Sequence, residues 1–144
     1  MNWYQRKFVE FRRSEVPVDE LWKLVGRFNG LADWHPAVEK SETSGEGEGS
    51  VRRLSLVGGG TIEERLEKID DAERVYSYSI LNSPLPVADY TSTVRVREDD
   101  AGNATVVEWS SEFKPAGAAE GDAIKAIEGI YQAGFENLRK MFGG

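Results

Sequence analysis

Hydrophobic residues recur at two different spacings along the chain, and the change of period predicts the order of elements. Residues 3–13 carry aromatic and β-branched side chains and predict a first strand. After Pro17, which suits the first turn of a helix, apolar residues recur at helical spacing until Asn29-Gly30. A short second helix or turn is predicted over residues 31–34, where Pro36 limits its extension.

The rest of the chain predicts consecutive antiparallel strands followed by one long helix. Glycine-rich or acidic turns separate short runs of β-favouring residues, which is typical of hairpins. The predicted strands are 38–44, 51–57, 61–69, 75–81, 89–97 and 104–113. The helix predicted over 119–141 has one apolar stripe, made of Ile124, Ile127, Tyr131, Phe135 and Leu138.

This element order predicts an α+β fold. The sheet must bury its apolar face, and the long amphipathic helix is the only large element available to cover it. A curved antiparallel sheet of about seven strands would then grip the C-terminal helix and enclose space that the helix does not fill. The length of 144 residues fits a single domain spanning 1–144.

Composition narrows the classes of partner. The net charge is -7, with 25 acidic against 18 basic residues and no basic stripe. This charge pattern argues against nucleic acid as a binding partner. One histidine and no cysteine argue against a metal site, and no cofactor motif is present. No apolar run is long enough for membrane insertion, and the first residues do not resemble a signal peptide. We therefore expect a cytoplasmic protein whose partner is a small hydrophobic molecule.

The only histidine lies at a junction between elements. His35 stands between Trp34 and Pro36, after a helical segment and before strand-like sequence. An imidazole beside a large aromatic residue at such a junction suits the mouth of a cavity. The alternative is that Trp34 is a core anchor and His35 a solvent-facing turn residue.

Strand parity places a charged pair on the inner face of the sheet. Arg52 alternates in phase with Leu54 and Leu56, and Glu64 alternates in phase with Ile62, Leu66 and Lys68. With residues 58–60 as the loop, Leu54 is predicted opposite Glu64, with Arg52 as a diagonal neighbour. A buried carboxylate needs a partner, so an inward Arg52–Glu64 pair is expected; the alternative is a solvated pair at the rim.

Three more strands supply candidate cavity residues. Tyr76, Tyr78 and Ile80 share one face of their strand, and Tyr90 and Ser92 share one face of the next. Aromatic hydroxyls in an apolar wall suit a ligand with a rigid body and a few oxygens. In the last strand, bulk favours Trp109 as the inward residue, whereas the opposite parity would turn Glu108 inward.

Six short motifs occur in an order that resembles a known superfamily. They are Trp34-His35-Pro36, Gly49-Ser50-Val51-Arg52, Glu64-Arg65-Leu66-Glu67, Tyr78-Ser79-Ile80, Pro84-Leu85-Pro86-Val87 and Tyr90. The chain is similar to the START and birch-pollen-allergen superfamily, in its polyketide cyclase/dehydrase-like branch, and to the plant abscisic-acid receptors. The resemblance implies the helix-grip fold and a cavity for a hydrophobic or amphipathic molecule. Some members catalyse cyclisation or dehydration there.

The resemblance also implies which residues form the site. The resemblance implies that Glu108 faces inward and Trp109 outward. Glu64 and Glu108 would then share one cavity, where their mutual repulsion and desolvation should raise the pKa of at least one of the two carboxyl groups. Candidate acid–base residues are His35, Glu64, Tyr90 and Glu108. The predicted ligand-contacting residues are Trp34, His35, Arg52, Leu54, Leu56, Glu64, Tyr78, Ile80, Val87, Tyr90, Ser92, Glu108, Ile127, Ile130, Tyr131 and Gly134.

Three functions remain open at this point: a binder of an aromatic, polyketide- or lipid-like molecule, a cyclase/dehydratase-type enzyme using the same cavity, and a co-chaperone-like protein-interaction module. Loops 58–60 and 82–87 are candidate gates, because the receptor relatives close corresponding loops over their hormone. The triglycine departs from that pattern, since it carries no side chain to clasp a ligand.

Overall fold

The computed structural model describes residues 4–14, 16–99, 101–102 and 104–142. Its elements follow the predicted order, with strand boundaries within two residues of the predicted ones; α1 ends three residues earlier than predicted, and the 3₁₀ helix begins three residues earlier. They are β1 (Tyr4–Ser14), α1 (Val18–Val25), a 3₁₀ helix (Phe28–Asp33), β2 (Val38–Ser44), β3 (Val51–Leu56), β4 (Thr61–Asp70), β5 (Val75–Asn82), β6 (Val87–Glu98), β7 (Ala104–Pro115) and α2 (Glu120–Met141).

The strands form one antiparallel sheet of seven, in the order β1-β7-β6-β5-β4-β3-β2. This curved, open sheet with α2 against its inner face confirms the predicted helix-grip fold. The two edges, β1 and β2, are the strands that flank α1 and the 3₁₀ helix in sequence.

Helix α2 is positioned by its apolar stripe and by charges at its two ends. Acidic Glu120 and Asp122 lie in its first turn and basic Arg139 and Lys140 in its last, which complements the helix dipole. Its buried residues are Ala123, Ile127, Tyr131, Gly134, Phe135 and Leu138. They join the inner face of the sheet in one hydrophobic core.

The register of the hairpin between β3 and β4 differs by two residues from the predicted one. Arg52 lies directly opposite Glu64, and Leu54 lies opposite Ile62. The prediction was wrong because the turn is centred on Gly58 and not on Gly59: the Leu56 amide donates to the Gly60 carbonyl at 3.0 Å, so Val57 belongs to the turn and Gly60 lies opposite Leu56. All three glycines have positive φ, between 88° and 107°, which L side chains rarely adopt, so the triglycine is what permits this loop.

The inner face of β4 changes parity along the strand. The pairing of β4 with β5 is irregular between Leu66 and Lys68. Such a bulge reverses which side chains face inward. Ile69 therefore packs against the core while Lys68 is exposed, and the prediction that Lys68 shares the inner face was wrong.

In the part of the chain that the structure describes, no helix combines the length and the apolar character needed to cross a membrane.

Candidate functional site

A cavity of about 220 Å³ lies between the inner face of the sheet and α2. Its walls are mostly apolar, and its polar groups come from four strands and the segment after the 3₁₀ helix. The lining residues are Leu31, His35, Ala37, Val38, Leu54, Leu56, Val57, Gly59, Ile62, Glu64, Tyr78, Ile80, Leu85, Tyr90, Trp109 and Ile130. Val57 is 62% exposed, so the β3–β4 loop lies at the mouth of the cavity.

A buried ion pair forms the charged end of the cavity. Arg52 is fully buried, and its Nε donates to Oε1 of Glu64 at 2.8 Å. Its second terminal nitrogen lies 2.7 Å from the same oxygen, in ion-pair range but not aligned as a hydrogen bond. Nη1 donates to the carbonyl of Phe28 at 2.6 Å. The inward orientation predicted for this pair is confirmed, although only Glu64 reaches the cavity surface.

Aromatic rings complete the surroundings of the guanidinium. Its central carbon lies 4.2 Å from the centroid of the Phe28 ring and 4.8 Å from that of Tyr78. Cation–π contacts at these distances partly replace the hydration that Arg52 loses. Arg52 is thus held by Glu64, by Phe28 and by ring faces, and is not available to a molecule in the cavity.

The carboxylate of Glu64 retains one oxygen for the cavity. Both contacts from Arg52 use Oε1, so Oε2 stays available as an acceptor. Burial raises the pKa of Glu64, and the neighbouring Arg52 charge opposes that rise. The charge-assisted contacts to Arg52 favour the ionised form at neutral pH.

A chain of hydroxyl groups fixes the proton positions beside this carboxylate. The Ser92 hydroxyl donates to the Ser110 carbonyl at 2.8 Å, so its oxygen accepts from Tyr131 at 3.2 Å. Tyr131 has then used its proton, and Tyr90 must donate to Tyr131. The Tyr90 oxygen consequently offers lone pairs and no proton to the cavity.

Tyr78 has the opposite polarity. The Trp109 indole N–H donates to the Tyr78 oxygen and to the Ser92 oxygen, both at 3.0 Å. Because Trp109 is a donor only, the proton of Tyr78 is not used in this contact. Burial raises the pKa of Tyr131 to about 12 and those of Tyr78 and Tyr90 well above the usual range, so all three hydroxyls stay neutral at physiological pH.

Strand β7 turns Trp109 inward and Glu108 outward, so the orientation that the family resemblance implied was wrong. Trp109 is 2% exposed and stacks on Tyr131, with ring centroids 4.2 Å apart. Glu108 lies on the outer face and pairs with Arg97 at 3.1 Å. The space under α2 suits a bulky ring with a polar edge better than it suits a second carboxylate. A second carboxylate would be buried without a counterion, because Arg52 is already paired with Glu64. The predicted pair of facing carboxylates does not form.

His35 is buried, and both of its ring nitrogens are bound to backbone. Nδ1 accepts from the Ala37 amide at 3.1 Å, so Nε2 carries the proton and donates to the Ile130 carbonyl at 2.7 Å. Burial lowers the pKa of His35, and the Ile130 contact opposes this only in part. His35 therefore lines the cavity as a neutral ring that ties the segment before β2 to α2, and it is not solvent-facing.

Gly134 permits this close approach of the helix. A Cβ built on it would lie 2.9 Å from Trp34 Cζ3 and 3.0 Å from His35 Cδ2. Trp34, 1% exposed, is a core residue against Trp109. Trp34 and Gly134 thus shape the site from behind its surface.

The residues predicted to contact a ligand divide into those that lie on the cavity surface and those that do not. His35, Leu54, Leu56, Glu64, Tyr78, Ile80, Tyr90 and Ile130 lie on the cavity surface. Six of the predicted residues are buried behind the lining: Trp34, Arg52, Ser92, Ile127, Tyr131 and Gly134. Val87 lies beside a separate groove between β5 and β6, and Glu108 lies on the outer face of the sheet. Whether any surface residue contacts a ligand remains a prediction.

Several lining residues were missed by sequence reasoning. Leu31, Ala37, Val38, Val57, Gly59, Ile62, Leu85 and Trp109 line the cavity without having been predicted. Ile62 shares the parity of Glu64, which was a usable signal. The loop residues had none, because their inward position depends on contacts between loops, such as the Val57 amide donating to the Ala37 carbonyl at 3.0 Å.

An antiparallel sheet wrapped around a long helix over an apolar cavity defines a helix-grip protein. The chain belongs to the polyketide cyclase/dehydrase and lipid transport family, whose model matches residues 5–143. The sequence resemblance to this superfamily is thereby confirmed.

Known proteins of two kinds are similar to the chain. The abscisic acid receptor PYL2 of Arabidopsis thaliana is 29% identical over 140 residues, covering 90% of this chain and 72% of that protein. The solved structure of protein XoxI from Bacillus cereus is 38% identical with a TM-score of 0.86, covering 99% of this chain and 96% of that one. An uncharacterized protein from Bacillus thuringiensis is also 38% identical, with a TM-score of 0.85, covering 99% and 100%.

Proposed function

We propose that this protein binds a small hydrophobic or amphipathic molecule in the cavity between the sheet and α2. The observation that carries the proposal is the lining itself: a mostly apolar wall that includes one carboxylate residue, Glu64, and two tyrosines, Tyr78 and Tyr90. A few polar groups in a mostly apolar concavity are characteristic of small-molecule sites. The family description and the name of the plant receptor relatives support the same class of function.

The size of the cavity bounds the ligand. An apolar cavity of about 150 Å³ in another protein holds benzene. A cavity of about 220 Å³ therefore suits a molecule of one or two rings, or a short lipid-like chain. Larger polyketides would require the β3–β4 or the β5–β6 loop to move.

The second candidate function is a cyclase or dehydratase acting in the same cavity, which the family description favours. Of the predicted acid–base residues, Glu64 and Tyr90 present groups to the cavity, whereas both His35 nitrogens are bound to backbone and Glu108 lies outside. Glu64, whose pKa burial raises, would be the acid–base residue of such a reaction. The ion pair with Arg52 favours a binding role.

Native mass spectrometry of the protein as purified tests the binding function. We expect a bound molecule in the wild type, released on denaturation. Ile130→Trp, which fills the cavity from α2, should abolish that mass difference. Gln132→Trp places the same side chain on the exposed face of the helix and should retain it. Equal spectra for the two variants would contradict the proposal.

A further inference from the structure

The charges around the cavity select the kind of polar group that a ligand carries. None of the described residues that line it is a lysine or an arginine. The lining residue with a formal charge is Glu64, while His35 is neutral and has both nitrogens bound. Arg52, directly behind Glu64, already serves that carboxylate and the Phe28 carbonyl. A ligand carboxylate would therefore be buried beside a negative charge without a cation of its own.

The hydrogen-bonding groups at this end are complementary to a hydroxyl. Tyr78 has an unused proton because it accepts from Trp109, so it is a donor toward the cavity. Glu64 Oε2 is an acceptor, and the Tyr90 oxygen is another. A hydroxyl group both donates and accepts. It can donate to Glu64 or Tyr90 and accept from Tyr78 at the same time.

We propose that the cavity selects neutral, hydroxyl-bearing molecules, namely phenols or alcohols with a small apolar body, and rejects carboxylates. This inference rests on the proposed binding function and names the ligand class for the same site. It separates this chain from the plant relatives in ligand chemistry, because their name specifies an acid.

Three probes that share one ring system test the selection. 2-Naphthol, 2-naphthoate and naphthalene differ only in the polar group, and at pH 7 the first is neutral and the second ionised. Calorimetric titration of the full chain should show 2-naphthol binding about tenfold more tightly than naphthalene and at least about tenfold more tightly than 2-naphthoate. 2-Naphthoate binding as tightly as 2-naphthol, or naphthalene as tightly, would overturn the inference while leaving the binding function in place. Absence of binding by all three would contradict the binding function itself.

Two variants locate the selectivity. Tyr78→Phe removes the donor and should weaken 2-naphthol about tenfold with little effect on naphthalene. Tyr76→Phe, which removes a hydroxyl from the same face of β5 outside the cavity lining, should leave all three affinities within about twofold. Glu64→Gln removes the repulsion and should narrow the preference for 2-naphthol over 2-naphthoate at least about tenfold. Unchanged preferences in both Tyr78→Phe and Glu64→Gln would overturn the assignment of these two residues.

Discussion

Arg52 and Glu64 face each other across β3 and β4, and both contacts between the guanidinium and Glu64 use a single carboxylate oxygen. This asymmetric pairing places a compensated charge at the wall of the cavity and leaves the other carboxylate oxygen without a contact to Arg52. Removing either partner alone leaves a buried charge without its counterion, which is costly. The pair is therefore a structural element of the sheet, and under the proposed function Glu64 would also be the polar anchor for a ligand.

Glu64→Gln should lower the free energy of unfolding by about 1–3 kcal/mol, the range for a buried polar group that loses its match. The amide keeps the shape but leaves Arg52 undercompensated. Urea denaturation measures the change.

Glu108→Gln is the matched control for that prediction, because Glu108 also pairs with an arginine but on the partly exposed outer face. A pair of that kind contributes about 0–1 kcal/mol. Equal losses for the two variants would mean that the Arg52–Glu64 pair is energetically an ordinary surface pair.

Gly134→Ala should destabilise the protein, although alanine favours helices more than glycine does. The added methyl group would meet Trp34 and His35 at 2.9 and 3.0 Å, and overpacking of this kind costs about 1–3 kcal/mol. Gly129→Ala lies on the same helix with nothing within 4 Å of the new atom, and should gain about 0.5–1 kcal/mol. Thermal unfolding followed by circular dichroism compares them; a higher melting temperature for Gly134→Ala would refute the close packing.

The single histidine makes one contribution to stability dependent on pH. Because burial lowers the pKa of His35, the unfolded chain takes up a proton at higher pH than the folded one. The contribution of His35 is complete above the unfolded pKa of about 6.5 and is lost as the pH falls below it. The folded pKa of Glu64 is raised, so its contribution changes in the opposite sense, being complete at acid pH and lost as the pH rises.

The comparison of wild type with His35→Asn isolates the histidine from Glu64. We expect the difference in unfolding free energy between them to shrink from pH 7.5 to pH 5.5. NMR of the imidazole should show the neutral form, protonated on Nε2, persisting below pH 6.5. A difference independent of pH, together with normal titration of the ring, would be inconsistent with a buried His35.

Trp109→Leu should enlarge the cavity and free Tyr78 and Ser92 from their indole donor. Truncation of a buried tryptophan costs several kcal/mol, on the order of 3–5 for alanine and less for leucine. The variant should be less stable and should bind a three-ring alcohol more tightly than the wild type does. Calorimetry with both proteins decides this, and unchanged size selectivity would show that Trp109 does not limit the ligand.

Alternation along the strands was sufficient to predict most of the inner face of the sheet. Tyr76, Tyr78 and Tyr90 all face inward as their parity predicted. The same rule, weighted by bulk, would have placed Trp109 correctly; the family resemblance favoured Glu108 instead. Parity alone was ambiguous in β7, because Val106 and Val107 are both fully buried on opposite parities.

Features that depend on contacts between distant segments could not be predicted in this way. The backbone partners of His35 come from its own loop and from α2. Its hydrogen bond to the distant Ile130 carbonyl could therefore not be predicted from the sequence around His35. On α2, the residue that lines the cavity is Ile130, which lies beside the apolar stripe. Ile127 and Tyr131 belong to the stripe, but they are fully buried in the core and do not line the cavity. The sequence thus predicted the architecture, the inward charged pair and half of the residues that line the cavity, but not the loop residues that complete its surface.

The central claim is that the cavity holds a small molecule, and two indole N–H signals test it most directly. Trp109 lines the cavity and its N–H donates to Tyr78, another lining residue, whereas the Trp22 N–H donates to Asp71 in an exposed contact at 3.1 Å. Both signals can be followed in ¹H–¹⁵N spectra during titration with 2-naphthol, after assignment with Trp→Phe variants. We predict that the Trp109 signal shifts saturably while the Trp22 signal stays in place. An unmoved Trp109 signal throughout the titration, or a shift confined to Trp22, would contradict the account.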